Sequence, residues 1–498
     1  MNKTHLSYVL LIIWLTTVQL VSGQSEKPNI IFILTDDQAP WAFGASGDLN
    51  ADTPNMDQLV NNGAYFKNAF TTTPVCSPAR ASIMTSRYAS EYGILDFIPH
   101  PDHKLYDPTY NPGLDPESIT FAEVLQEAGY ATALVGKWHL GDWTQSSDKR
   151  FHPTNHGFDY FMGLTGGGTT PSNPKLELNG KLRQFSGLTT DILTDHAIKF
   201  IRKNKNKNFL LCLNTRAPHG AWLPVSEEDW APFENKNIYI PNPAYPDLDV
   251  QKVTSEMREY LASTRGVDRN LGRIISLLKE LEISERTIIM FFSDHGYNMG
   301  HNGIKHKGNG IWITKTKPED TENISGKYRP NLYDNSLKVP AFVYWPSVVS
   351  PDVVIHNTVT TLDIYPTIVE MAGAKLPQNH LVRGRSLVPM LKGEKMEDWD
   401  DDFYGEYSMI NYSNAYMRCY RTQEWKLVRD FLNPERDELY HIAFDPEENI
   451  NLIHDPSPNT QRIINELHSK ILQSLERAND PLLSQGIVEK EYYSRLKE

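Results

Sequence analysis

Five short runs, residues 30–34, 131–135, 209–213, 287–292 and 341–344, are almost wholly apolar and rich in Ile, Val, Phe and Leu, without the polar alternation of a half-exposed strand. Strands that read this way are covered on both faces. Helical patterns lie between them. Residues 118–128 carry Phe121, Val124, Leu125 and Ala128 at helical spacing and end at Gly129, and residues 255–281 place Leu271, Ile274, Ile275, Leu278 and Leu281 on one face. Runs and helices in alternation predict an α/β chain with a large, mostly parallel central sheet and helices on both faces. Beyond Leu376 the pattern changes: acidic Asp398, Asp400, Asp401 and Asp402 precede strand-like pieces at 403–407, 415–421 and 425–429 and a helix at 460–477. The expected domains are therefore a large α/β body at 24–375 and a smaller C-terminal α+β subdomain with an antiparallel sheet at 376–498. Residues 311–327, rich in Thr, Lys, Asp and Glu, are expected to form an exposed loop.

The first 23 residues carry Lys3, an apolar stretch at 9–15 that weakens through Thr16, Thr17 and Gln19, and small residues Ser22 and Gly23. This predicts a secretory signal peptide, too short and too polar for a membrane span. No later run is long enough to cross a bilayer, so an exported protein, periplasmic or secreted, is expected. The 49 Lys+Arg against 62 Asp+Glu give a net charge of −13, which argues against a nucleic-acid partner, since phosphate contacts need clustered cations. An anionic small substrate is not excluded, because a few local cations suffice. Three cysteines, Cys76, Cys212 and Cys419, are too few for a disulfide scaffold. Cys212 reads as a core thiol, and whether it pairs with Cys419 is left open.

Chemistry gathers where the runs end. Thr35, Asp36, Asp37 and Gln38 follow one; Gly136, Lys137, Trp138 and His139 another; Arg216, Ala217, Pro218 and His219 a third; Ser293, Asp294, His295 and Gly296 a fourth. Ligands of open α/β sheets bind beyond the carboxyl ends of the strands, so these segments are expected to meet at one edge. Asp36, Asp37 and Asp294 together would need a cation. Hard carboxylate oxygens favour Ca²⁺ or Mg²⁺, with His295 completing the shell; taken alone, Asp36 and Asp37 also fit a helix cap.

Cys76, Ser77, Pro78, Ala79 and Arg80 read as a helix start, Ser77 as N-cap and Pro78 at the first helical position. Cys76 would then sit at the positive end of a helix, where an anion or a nucleophile is stabilised. Arg80, one turn on, would hold an oxyanion with its fork of donors. By itself such a string also fits a plain helix entry.

Cys76 to Arg80, together with Gly136, Lys137, Trp138, His139, Leu140 and Gly141, resembles the two signature segments of the type I sulfatases of the alkaline-phosphatase-like superfamily. The likeness includes Asn29 to Asp37, the triplet Ala217, Pro218 and His219, the string Ser293 to Gly296, Gly308-Asn309-Gly310 and Tyr333 to Pro340, in family order over about residues 28–373. Glu438, Leu439, Tyr440, Asp445 and Pro446 resemble the family's small subdomain. The resemblance implies that a maturation enzyme oxidises Cys76 to formylglycine, whose hydrate is the nucleophile. It implies Ca²⁺ held by Asp36, Asp37, Asp294, His295 and the side chain at 76, with His295 standing where other members carry Asn. It implies Arg80 and Lys137 as anion stabilisers, His139 as the base that releases sulfate, and His219 as the acid for the leaving oxygen. Lys305 and Lys307 both precede Gly308-Asn309-Gly310; Lys307 is the expected second catalytic lysine, because a Lys-Gly-Asn-Gly string most resembles the family segment.

The expected function is an exported hydrolase of sulfate esters on a sulfated carbohydrate, with an algal polysaccharide such as ulvan or carrageenan preferred over a host glycosaminoglycan by family analogy alone. Trp41, His100, His103, Trp222 and His301 are candidate sugar contacts, each of which fits ordinary packing or surface equally well. The alternatives are a phosphodiesterase or phosphonate monoester hydrolase of the same superfamily, and a glycan-binding protein with an inactive site.

Overall fold

The computed structural model describes residues 27–107, 112–141, 149–317 and 326–488; the expected signal peptide lies outside the described residues. A ten-stranded sheet runs in the order Val353–Thr360, Ala64–Phe70, Ala341–Tyr344, Thr287–Ser293, Asn29–Asp36, Phe209–Pro218, Ala131–Lys137, Tyr160–Leu164, Lys175–Leu178 and Lys181–Gln184. The strands from Thr287–Ser293 to Tyr160–Leu164 all pair in parallel. Ala341–Tyr344 is antiparallel to both neighbours, and so are the pairings of the last two strands. The sheet is therefore mixed around a parallel centre. Apolar periodicity is blind to strand direction, and so the reversed strand could not be told from its sequence.

Both faces are covered, as the unbroken apolar runs require. Ile30, Phe32, Leu34, Leu210, Cys212, Met290 and Phe292 enter one core with Ile83, Phe121, Leu125 and Ile368. Their neighbours Ile31, Ile33, Leu211, Leu213, Ile289 and Phe291 enter a second core with Leu193, Ile201, Leu271 and Ile274. Side chains at odd and even positions of a strand thus bury against opposite helix layers. The helices are Cys76–Thr85, Phe121–Glu127 and Ile364–Met371 on the first face, and Thr189–Asn204 and Val250–Glu280 on the second. The helix expected from residue 118 starts at Phe121, because Thr120 accepts from Glu123 N while Glu123 accepts from Thr120 N, a reciprocal cap.

Phe403–Met409, Ala415–Arg421, Lys426–Asp430 and Glu438–Tyr440 form an antiparallel sheet beneath the helix Pro458–Ala478. Tyr404, Tyr420 and Leu427 pack on that helix. On the other face, Phe403, Tyr407, Cys419 and Val428 pack against Phe70, Val75 and Leu337 of the large domain, so this sheet reaches the residue preceding Cys76. Cys76, Cys212 and Cys419 are all free and buried.

A small antiparallel sheet, Asn298–Met299, Ile304–His306, Asn309–Trp312 and Tyr328–Pro330, stands at the carboxyl edge of the large one. The segment expected as a loop over 311–327 accordingly begins in a strand: Ile311 pairs with Tyr328. Residues 318–325 of it lie outside the described residues.

Candidate active site

Parallel register aligns the strand ends. Leu34 lies beside both Asn214 and Phe292, and Gly136 beside Asn214, which carries Asp36, Lys137, Arg216 and Asp294 to one edge. Gly136 is obligatory there: at φ 119° it passes so close to the next strand that a Cβ would stand 1.8 Å from the Asn214 carbonyl oxygen. Past the edge the chain turns sharply. Asp37 and His139 adopt φ of 69° and 61°, left-handed values that cost roughly 1–3 kcal/mol in residues other than glycine and gather at functional sites.

The helix carrying Cys76 starts earlier than its sequence suggests. Val75 is the N-cap, without a side-chain cap, and Cys76 is the first helical residue. Pro78 fits one turn in because the first N–H groups of a helix have no intrahelical partner in any case. Ser77 is not the cap; its hydroxyl accepts from Ile98 N at 3.0 Å. The expected placement of Cys76 at the positive helix end is retained.

Around Cys76 the four strand ends converge. Its Sγ lies 3.4 Å from Asp36 Oδ1, 3.4 Å from His295 Nε2 and 2.9 Å from Lys307 Nζ. Lys307 Nζ also donates to Asp37 Oδ1 at 2.5 Å, and Lys137 Nζ to Asp36 Oδ2 at 2.6 Å. Arg80 donates from Nε to Asp294 Oδ2 at 3.0 Å and from Nη1 to the Lys137 carbonyl at 2.8 Å. All of these side chains are buried. Lys305 points elsewhere and pairs with Glu256 at 2.6 Å.

Burial penalises every charge here, yet the cations prevail over it at Asp36 and Asp37, held below the usual carboxylate range by Lys137 and Lys307 respectively. At Asp294 burial wins and raises it. Burial, reinforced by Asp36, pushes the Cys76 thiol up to about 12, so near neutrality the encoded side chain is a thiol and not a thiolate. His139 is held well below the imidazole range by burial and the Lys137 ammonium. Its Nε2 contacts the Ile98 carbonyl at 2.9 Å; a carbonyl only accepts, so Nε2 carries the hydrogen and Nδ1 the lone pair. His219 donates from Nδ1 to the Gly220 carbonyl at 2.8 Å. Burial lowers His219 to about 3, a shift that water tempers because the residue is only half-buried.

A divalent cation fits this set. Ligand atoms of Asp36, Cys76, Asp294 and His295, and of Asp36, Asp37, Cys76 and His219, lie within 4.8 Å of one another. His295 Nδ1 contacts the Gly296 carbonyl at 3.0 Å and must be protonated, and burial favours the neutral ring. The Nε2 lone pair then faces Asp37 Oδ1 and Asp294 Oδ1, each 3.3 Å away. Lone pair against carboxylate is repulsive unless a cation lies between them. The buried Asp37 Oδ2 also has no hydrogen-bond partner.

Cys76, His139, His219 and Lys307 line a cavity of about 310 Å³. A larger cleft of about 1110 Å³, between residues 242–247 and the C-terminal sheet, contains none of the converged residues. Of the proposed sugar contacts, His100 and His103 line the smaller cavity. Trp41 packs on His301 and Tyr260, each at 5.5 Å, and Trp222 on Tyr260 at 6.0 Å; these three fill the space over the Val250–Glu280 helix and are packing residues. Phe97, Tyr328 and Tyr412 complete the cavity wall, with Tyr328 and Tyr412 stacked at 4.5 Å. No motif marks them, since they come from a loop, from a strand beyond the 311–327 segment and from the C-terminal subdomain.

The family model described as Sulfatase matches residues 28–374, and that described as N-sulphoglucosamine sulphohydrolase, C-terminal, matches residues 328–477. The chain is 25% identical to an N-acetylglucosamine-6-O-sulfatase of Bacteroides thetaiotaomicron, over 86% of this chain and 83% of that protein. It is 27% identical to an ulvan-active sulfatase of Formosa agariphila, over 95% and 86%. The crystal structure of Ps i-CgsB in complex with k-i-k-neocarrahexaose superposes with a TM-score of 0.70 at 26% identity, covering 90% of this chain and 92% of that one. A match running from the first strand of the sheet through the helix Ile364–Met371 packed on it makes this chain a member of the sulfatase family, the hydrolases of sulfuric esters.

Proposed function

We propose that the protein hydrolyses sulfate esters of a sulfated carbohydrate through a formylglycine made from Cys76. The observation that carries this is the position of Cys76, enclosed at the first turn of a buried helix within reach of Lys307, His295 and Asp36. A thiol held at about 12 is a poor nucleophile, which favours an oxidised residue there over the encoded one. Asp36, Asp37 and Asp294 contribute three negative charges and Arg80, Lys137 and Lys307 three positive ones. Added to that balance, a bound divalent ion leaves the site cationic, the complement of a sulfate ester.

When bound by Asp36, Asp37, Asp294 and His295, Ca²⁺ or Mg²⁺ would supply Lewis acidity toward the hydroxyl at position 76 and screening of the anion. Arg80, Lys137 and Lys307 meet charge developing on the sulfuryl oxygens. The Nδ1 lone pair of His139 takes the proton whose removal lets sulfate leave the side chain at 76; an anionic sulfate ester bound beside His219 favours its charged form, in which Nε2 also carries a proton for the departing sugar oxygen. The aromatic wall of Phe97, Tyr328 and Tyr412 suits the apolar face of a sugar ring. Relatives acting on N-acetylglucosamine sulfate and ulvan, and a neighbour solved with a carrageenan hexaose, support the substrate class. The stretch at residues 9–15 supports export to the periplasm or medium, and no described helix is long and apolar enough to cross a membrane.

The test assays purified protein on 4-nitrophenyl sulfate and on ulvan, carrageenan and glycosaminoglycan oligosaccharides, with phosphate and phosphonate esters in parallel. Desulfation dominates if the reading holds; a preference for the phosphorus esters would overturn it. Lys307→Ala is expected to lower kcat by about 10²–10³, the usual cost of one transition-state donor. Lys305→Ala should stay within about threefold of the unaltered protein, because Lys305 pairs with Glu256 and does not line the cavity. Steady-state kinetics of the two variants separates the lysines.

A further inference from the structure

His139 does not hold its own orientation. Its ring is tied through Nε2 to the Ile98 carbonyl at 2.9 Å, and the Ile98 N–H is tied at 3.0 Å to the hydroxyl of Ser77, the residue after Cys76. What fixes this short stretch is Asp96, whose carboxylate is buried. Asp96 Oδ1 accepts from Phe97 N at 2.8 Å and Tyr407 Oη at 3.4 Å, and Oδ2 accepts from Ile410 N and Asn411 N, each at 3.0 Å. Asn411 Nδ2 donates in turn to the Phe97 carbonyl at 2.7 Å. Three of the four donors to Asp96 belong to the end of one C-terminal strand, and the fourth adjoins Ile98.

We infer that Asp96 is a positioning residue: it clamps the Asp96–Phe97–Ile98 stretch to the C-terminal subdomain, so that the Ile98 carbonyl fixes the tautomer and direction of the base His139. The subdomain thereby acts on catalysis through one carboxylate, without touching substrate at that point. A carboxylate receiving four donors has no equal in an amide, which offers a single acceptor oxygen and turns an N–H₂ toward one pair of donors. A carbonyl displaced by even 1 Å leaves the base misaligned, a fault worth about 10²-fold in rate.

This inference rests on the sulfatase reading, and one experiment separates the two. In that reading His139 serves the second half of the reaction, release of sulfate, after the alcohol has departed. Asp96→Asn, with modification of Cys76 checked by peptide mass, is mixed rapidly with 4-nitrophenyl sulfate. The expected result is a kcat lower by about 10²-fold, KM for the first half-reaction within about threefold, and a stoichiometric burst of nitrophenol before the slow steady state. Ser77→Ala, which removes the other tether on Ile98, should show the same burst with a smaller fall in kcat, and serves as the test if Asp96→Asn does not fold. A kcat equal to that of the unaltered protein, or a fall in kcat with no burst, would overturn the positioning role. Absence of nitrophenyl sulfate turnover in the unaltered, modified protein would instead sink the sulfatase reading itself.

Discussion

Cys76→Ala is expected to abolish turnover, with kcat falling by about 10⁴–10⁶, the range seen when a nucleophile is deleted from a preorganised site. Folding should survive, because Cys76 contributes one small side chain to the first turn of a helix whose packing residues, Ala81, Ile83 and Met84, are untouched. Cys76→Ser is the more informative substitution. A serine hydroxyl occupies the same place beside Lys307 and Asp36 and can attack sulfur once, releasing one equivalent of alcohol. It then holds sulfate as a stable ester, since no second oxygen on the same carbon is present to expel it. A hydrated aldehyde carries that second oxygen, and loss of its proton to His139 collapses it with departure of sulfate. The measurement is intact mass after incubation with substrate: one added sulfuryl group on Cys76→Ser, none on Cys76→Ala. Multiple turnovers by the serine variant would show that the second oxygen is unnecessary. Because burial keeps the unmodified thiol protonated, specific activity across preparations should scale with the fraction of Cys76 converted.

Much of this site was legible because four of its clusters follow apolar runs, and a run buried on both faces is the plainest strand signal a sequence offers; Cys76 and Lys307 follow no such run and were found by resemblance. Asp36, Lys137 and Asp294 meet for that reason: parallel register brings strand ends together whatever their separation in sequence. Flanking strands such as Ala64–Phe70 and Lys181–Gln184 escaped notice because they are partly exposed and interrupted by charge. Trp41, Trp222 and His301 were open to either reading, as aromatic identity does not distinguish a cavity wall from a packed layer, and the fold places them in a packed layer. Ser77 resembled an N-cap by type, but its hydroxyl is taken by Ile98, a contact between loops that no spacing rule encodes. Asp96 was invisible on the same ground: three of its four donors lie more than 300 residues further on, and only the fold brings them to it.

Asp294→Asn is expected to damage stability and catalysis together, because one carboxylate serves three neighbours. Oδ2 accepts from Arg80 Nε at 3.0 Å and lies in an ion pair with Nη2 at 3.0 Å, while Oδ1 accepts from His295 N at 3.0 Å and Asp37 N at 3.3 Å and faces the His295 lone pair. An amide satisfies at most one side. With its oxygen toward the backbone N–H groups, its N–H₂ confronts the Arg80 guanidinium; reversed, it confronts the backbone donors. Arg80 is 1% exposed, and a buried charge stripped of its partner typically costs about 3–5 kcal/mol. The same change removes a hard oxygen from the candidate cation set. Chelated protein should therefore be stabilised by added Ca²⁺, by about 2.7 kcal/mol at a hundredfold excess over Kd, whereas Asp294→Asn should show little or no gain. Thermal unfolding with and without Ca²⁺ reads both effects, and calorimetric titration reads the second independently of activity. Retention of full stability with an undiminished Ca²⁺ response would mean that Asp294 neither balances Arg80 nor belongs to the ion's shell. A loss of stability alone, with the Ca²⁺ response intact, would leave it as the partner of Arg80 and move the cation toward Asp36, Asp37 and His219, the other set of ligand atoms that lies close enough to hold one.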